Sequence, residues 1–248
     1  MSVLASGAVV RQVLLSAGAE ESQIMAKLQP IATDMHALGN PWISYSVYLN
    51  NSFLPGLLQL MILLVTVFSI GSEMKRATSR EWLRTADDSI IIAITGKLIP
   101  QTIIFFSMGL LYLSLLYGYL HFPMHNSIWH MIFAMFLLVV ASQSFAVIIM
   151  CFAPSLRIGL SVGGLVGVLS LSIAGFSFPV PAMYLPFQAI SYVLPVRHYF
   201  LIYVDQALNG IPLYYSRVHY VALILFAVAS TPLLPRLKKA LMRQVYVP

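Results

Sequence analysis

EMKRATSREWLRTADDSIIIAITGKLIP, residues 73–100, is the one long charged passage in an otherwise apolar sequence. It carries five of the fourteen Lys/Arg (Lys75, Arg76, Arg80, Arg84, Lys97) and four of the eight acids (Glu73, Glu81, Asp87, Asp88). Apolar runs long enough to cross a bilayer flank it on both sides. A short charged helix between two spans has two readings. One is a solvated loop whose positive charge fixes topology. The other is a coupling element that carries force between the membrane and a soluble partner. Composition alone favours the first, because every polytopic protein needs such loops. Residue order restores the second.

Working outward, 59% of the 248 residues are hydrophobic and 9% are charged. Soluble domains run near about 45–50% and 25%. The chain therefore reads as an all-α integral membrane protein, not as a globular domain with a large core. Its net charge of +6 is spread over short loops, a topology signal and not a nucleic-acid surface. The single cysteine, Cys151, has no intrachain partner and lies in an apolar run, so no cysteine metal cluster is expected. Arg11 interrupts the apolar part of the N-terminus, which makes a poor signal peptide and a poor span.

Residues 1–52 are mixed and fairly polar, with Pro30 and Pro41 as breakers and a possible helix over 8–28. They read as a partial extracytoplasmic segment too poor in apolar residues to bury its own core. A transmembrane domain then occupies 53–248, with spans expected near 53–70, 98–120, 128–152, 158–178 and 218–234. Ten Lys/Arg fall on one side: the five of the charged stretch, then Arg157, Arg236, Lys238, Lys239 and Arg243. Four fall on the other: Arg11, Lys27, Arg197 and Arg217. The richer side should be cytoplasmic, with the N-terminus outside and the C-terminus inside. Residues 179–217 are long, apolar and rich in proline, with Pro195, Arg197 and His198 amid an apolar run. A charge there costs several kcal/mol in a span. Short helices that enter the outer leaflet and return, packed against protein, fit better.

The spans hold almost nothing ionisable. Gln59, Gln101, Gln143, Ser142 and Ser144 are their notable polar groups. That argues against proton or sodium coupling and against an intramembrane hydrolase. Gly96-Lys97 resembles a phosphate loop only superficially: Ile91 stands where its first glycine belongs, and Leu98 replaces Ser/Thr. No catalytic residue and no metal site is expected. His121, His125 and His130 read as interfacial histidines at span ends.

Within the charged stretch, Thr78 and Glu81 have the spacing of a capping box, which predicts a helix from Ser79 to about Ala86. Trp82, Leu83 and Ala86 share one face; Arg80 and Arg84 form another. Asp87, Asp88 and Ser89 offer an N-cap to the next helix. An exposed aromatic and two arginines would suit docking. In the fourth run Gly159, Gly163 and Gly167 stand four apart, a flat stripe for close helix approach. Packing within one subunit and a subunit seam are both open.

These residues resemble the permease subunits of type 2 ABC transporters, mostly exporters. The family's first cytoplasmic loop reads approximately E-x-x-R-G-T-x-E-x-L-L-x-T-P, followed by G-K-x-x-P. Glu73, Arg76, Thr78, Leu83, Thr85, Gly96, Lys97 and Pro100 match it in order and spacing. Ala77 stands for the glycine and Ala86 for the proline; Arg80 takes the place of the acid, which falls at Glu81. GFSFPVPAMY (175–184) and NPWISYSVYLNNSFLPG (40–56) resemble the family's outer-leaflet helices and the approach to its second span. The likeness covers about residues 38–240.

The resemblance implies a dimeric exporter in a bacterial inner membrane, paired with a second permease copy or a homologous permease. Glu73, Arg76, Thr78, Arg80, Glu81, Trp82 and Arg84 would couple to a separate ATP-binding subunit, which would hold ATP and Mg; this chain would hold no cofactor. Gly159, Gly163, Gly167 and Gln59 would serve packing and the path. The family's first span and most of its extracytoplasmic domain are expected to be missing here. A non-transporting scaffold, or a truncated and inactive remnant, is the alternative. Lipids are the remaining partners; the cargo is not legible.

Overall fold

The computed structural model describes residues 45–243, together with Gln12 and Ser16. The helix expected over 8–28, and the 1–52 segment before Tyr45, otherwise lie outside the described residues. Five described helices are long and apolar enough to cross a membrane, and no strand occurs among the described residues. The chain is an all-α integral membrane protein.

Helix α1 spans Tyr45–Lys75. Its polar first turns, outside the expected span, are helical because their side chains satisfy themselves. Asn50 Nδ2 donates to the Ser46 carbonyl (3.0 Å), Asn51 Nδ2 to Val47 (3.0 Å) and Ser52 Oγ to Tyr48 (2.6 Å). Helix α2 is Ser79–Arg84 and α3 is Ile90–Leu113. Helix α3 starts eight residues before the expected span, where Ser89 Oγ accepts from the Ile92 N–H (3.5 Å). A π-helical turn, Ser114–Tyr119, ends it. Helix α4 is Ile128–Phe152 and α5 is Leu156–Ile173. Helix α5 stops short of the expected residue 178, just before Gly175 takes φ +105°.

The 179–217 connection contains two short helices, α6 (Leu185–Tyr192) and α7 (Pro195–Tyr203), and neither is long enough to span. Pro195 sits at the start of α7, where its missing N–H costs nothing. Helix α8, Leu213–Val228, is followed by a single 3₁₀ turn and then α9, Leu234–Arg243. The fifth candidate span, Leu213–Arg243, thus passes from α8 to α9 through the Thr231–Leu233 turn, inside the span expected over 218–234.

Helix α4 is the centre of the bundle. It is apolar all round, and 67% of its most apolar window is buried, against 22–44% for the other spans. At one end its residues pack with α1, α2, α3 and α9; at the other they meet α7 and α8. The polar groups noted in the spans serve as ties across this packing. Thr66 donates to Gln101 Oε1 (3.2 Å), and Thr102 donates to Gln143 Oε1 (2.8 Å). Ser144 Oγ accepts the Ser230 N–H (3.2 Å), while Ser142 returns to the Leu138 carbonyl (2.7 Å). In an apolar medium an unmade bond of this kind costs the full desolvation penalty, so each tie fixes helix register.

Helices α1 and α5 run antiparallel and in close contact. Gly159, Gly163 and Gly167 are all buried, and they face α1 of the same chain. A Cβ at Gly159 would come within 2.9 Å of Val67 Cγ1, and one at Gly167 within 3.2 Å of Leu60 Cα. From the other side, a Cβ at Gly71 would lie 3.0 Å from Leu156 Cα. The stripe is thus occupied within the subunit, which sets aside the seam reading for these three glycines. The physical reason is mutual: small residues on both helices let the two backbones approach.

Candidate functional site

The charged stretch folds into a compact knot at the end of the bundle. Helix α1 ends at Lys75, and Ala77 then takes φ +57°, the left-handed region. That region costs an L-residue about 1–2 kcal/mol and suits glycine. The loop pattern that this stretch resembles carries glycine at this position, the residue this φ suits best. The turn returns the chain on Glu73: the Thr78 N–H and Ser79 Oγ both donate to the Glu73 carbonyl (3.0 and 3.1 Å).

The expected capping box is not formed. The Thr78 N–H that Glu81 would receive already belongs to Glu73, and Thr78 has φ −90° and ψ 1°, not the extended geometry of a cap. Its hydroxyl donates to the Glu73 carboxylate instead. A charged acceptor is the stronger partner. Helix α2 keeps an acid in its first turn, Glu81, and a base in its last, Arg84, both favoured by the helix dipole.

Glu73 is the hub. Its other carboxylate oxygen meets Lys97 Nζ at 2.5 Å, so the end of α1, the start of α2 and the first turns of α3 close on one group. The two side chains are only 23% and 19% exposed, which reduces solvent screening of the pair. Lys97 also lies 4.4 Å over the Trp82 ring. Trp82 was expected to be exposed; it is half-buried between that cation and the core. An indole gains more from covered apolar area plus a cation on its face than from solvent. Lys97 was legible as part of a motif, but only the fold brings it to Glu73 across 24 residues.

Helix α9 clamps the knot from the other side. Leu83 and Ala86 pack with Leu234, Leu237 and Leu241, which are 0–6% exposed. Arg80 Nη2 donates to the Met242 carbonyl (3.1 Å), and Lys238 Nζ donates to the Asp88 carbonyl (2.6 Å). In the sequence this helix stands out only by Arg236, Lys238, Lys239 and Arg243. The i, i+3, i+7 leucines opposite Arg/Lys were the signal of a packed amphipathic helix. What projects from the finished knot is Arg76, Arg80, Glu81 and Arg84, all exposed.

Gln59 lies elsewhere, deep among helices and fully buried. Its Nε2 donates to Ser170 Oγ (3.0 Å) and its Oε1 accepts the Val196 N–H (2.8 Å). It therefore joins α1, α5 and α7. The neighbouring Arg197 is 8% exposed, donates to the Ala174 carbonyl (3.1 Å) and stacks on Tyr192 at 4.7 Å. The structure does not bring Gln59 and the α2 knot together.

At the opposite end of the bundle His121, His125 and His130 each place a ring nitrogen on a backbone carbonyl, of Tyr119, Ala207 and Ser127 respectively. Among the described residues, no group of three His, Cys, Asp or Glu is placed to hold a metal ion.

A family profile described as "ABC-2 family transporter protein" matches residues 2–234. Comparisons with curated proteins and with solved structures find no match. The profile covers the α2 knot, all five spans up to the start of α9, and nearly all of the segment before α1. Such permeases are transport components that work with an ATP-binding partner. Five apolar helices, a knotted charged loop between the first two and a profile over most of the sequence place the chain in the ABC-2 transporter family, as a membrane permease of type 2 ABC transport.

Proposed function

We propose that this permease is one half of an ATP-driven exporter and that α2 docks on a separate ATP-binding subunit. The observation that carries the reading is the anchoring of α2. A six-residue helix has too few internal bonds to persist alone. Here Glu73, Lys97 and Trp82 hold it on one side and α9 on the other, while Arg80, Glu81 and Arg84 project. A topology loop needs charge, not rigidity. A helix tied to α1 and α3 can pass a displacement to the spans. ATP and Mg would sit in the partner.

The proposal includes a second permease, a copy of this chain or a homologue. With the glycine stripe used internally, the exposed apolar faces of α1 (Met61, Val65, Phe68) and α5 (Leu165, Val168) are left for the partner and the path. An amphipathic or lipid-like cargo suits such walls. Charge asymmetry supports an orientation with α2 and α9 inside, and the family resemblance supports a bacterial inner membrane.

The test is Arg84→Glu in the full-length chain, because Arg80 also holds α9 while Arg84 is exposed. Reversing a charge at a complementary interface places like against like. Retention of the co-expressed ATP-binding subunit should fall, with insertion normal by cysteine labelling at the exposed positions Thr85 and Ser127. A correctly inserted variant that holds the ATPase as tightly as the parent would return α2 to the role of a topology loop.

A further inference from the structure

A cavity of about 430 Å³ lies between α9 and the ends of α1 and α4. Met74, Cys151 and Phe152 line it from the bundle; Arg236, Lys239 and Arg243 line it from α9. The three cations are spaced i, i+3, i+7, so they form one stripe. Among the described residues, no carboxylate lines the cavity. Lys238, the remaining α9 cation, points elsewhere, to the Asp88 carbonyl.

We propose that this cavity binds the phosphate of an anionic phospholipid headgroup. Three observations favour a lipid over a protein surface. The apolar face of α9 is already consumed by the core through Leu234, Leu237 and Leu241, so the helix meets its surroundings through its cations. The cavity opens beside Phe152, which ends the apolar run of α4 and is 59% exposed, at the level where aromatic side chains mark the membrane interface. Arg236 lies 4.8 Å over that ring, which aims its guanidinium along the rim. Basic pockets between spans at the membrane surface recognise phosphate headgroups by this chemistry. The site would tether α9, and through Arg80 and Lys238 the α2 knot, to the bilayer surface. The binding claim does not depend on which side α9 faces.

The test uses the full-length chain in phosphatidylcholine nanodiscs doped with phosphatidylglycerol, with bound lipid read by native mass spectrometry. Phosphatidylglycerol should be retained over phosphatidylcholine. R236Q/K239Q/R243Q should weaken that retention by about a hundredfold, roughly fivefold per cation. R236K/R243K should stay near the parent, which separates loss of charge from loss of fold. R217Q, at the other end of α8, should change nothing. Inorganic phosphate at tens of millimolar should compete only weakly, because it lacks the acyl contact beside Phe152. Four results would each overturn the proposal: no preference for phosphatidylglycerol in the parent; unchanged retention in the triple variant; full displacement by inorganic phosphate, which marks a soluble-anion site; or a triple variant that loses the ATP-binding subunit but keeps its lipid. Because both leaflets of the nanodisc carry the lipid, a negative result does not bear on the topology proposed above.

Discussion

Removing the Glu73 carboxylate should loosen the α2 knot in two separable steps. Glu73→Gln keeps an acceptor for the Thr78 hydroxyl but loses the charge that meets Lys97 at 2.5 Å. An exposed pair is worth about 0.2–1 kcal/mol, whereas breaking a buried one costs about 3–5. With both side chains about one-fifth exposed, and Lys97 still resting on Trp82, the cost should be about 1 kcal/mol. Glu73→Ala also removes a hydrogen bond to a charged acceptor, about 1.5–3 kcal/mol in the buried limit. Water can reach Thr78, so the lower end applies and the total is about 2.5 kcal/mol. For a chain of this size that is a melting shift of roughly 5–10 °C for Ala and roughly 2–4 °C for Gln. Thermal unfolding of the purified variants in one detergent measures it. Lys97→Met supplies the cycle: its effect and that of Glu73→Gln should be less than additive, by about 1 kcal/mol. Strict additivity of the two, or a Glu73→Ala variant as stable as the parent, would refute the hub.

Three further outcomes follow from particular contacts. Ala77→Gly should stabilise the turn by about 0.5–1 kcal/mol, since relief of the left-handed strain exceeds the extra freedom of the unfolded chain, and Ala77→Val should destabilise it; melting in the order Gly, Ala, Val from high to low checks this. Gly163→Ala should be tolerated, because its Cβ meets only Val67 Cγ2 at 3.7 Å, whereas Gly167→Ala drives into Leu60 and should be about 2 kcal/mol worse in the same assay; equal stabilities would mean that α1 and α5 are not closely packed. Gln59→Leu should leave the buried Val196 N–H without its acceptor, cost about 1–3 kcal/mol, and speed amide exchange at the start of α7 first.

Sequence alone determined the class of this protein. An apolar excess, five long runs and a charge bias are sums over residues, and burial in lipid depends on such sums. The α2 helix and the Ser89 cap were legible because capping and turn signals act within a few residues. The capping box failed at the same scale, since two donors and two acceptors compete there, and the winner, Glu73, precedes Thr78 by one turn of backbone that only the Ala77 conformation creates.

The tertiary structure decided the partners. Nothing in the order of residues says whether the glycine stripe meets α1 of its own chain or another subunit, because a flat face carries no address. Neither could it place Lys97 on Glu73, fold α9 back under α2, or set the α9 cations against Met74 and Cys151 across one cavity. Each of these is a contact between residues far apart in sequence, fixed by where α4 and its neighbours leave space. Local signals set the elements; long-range packing alone determines which of their faces remain exposed.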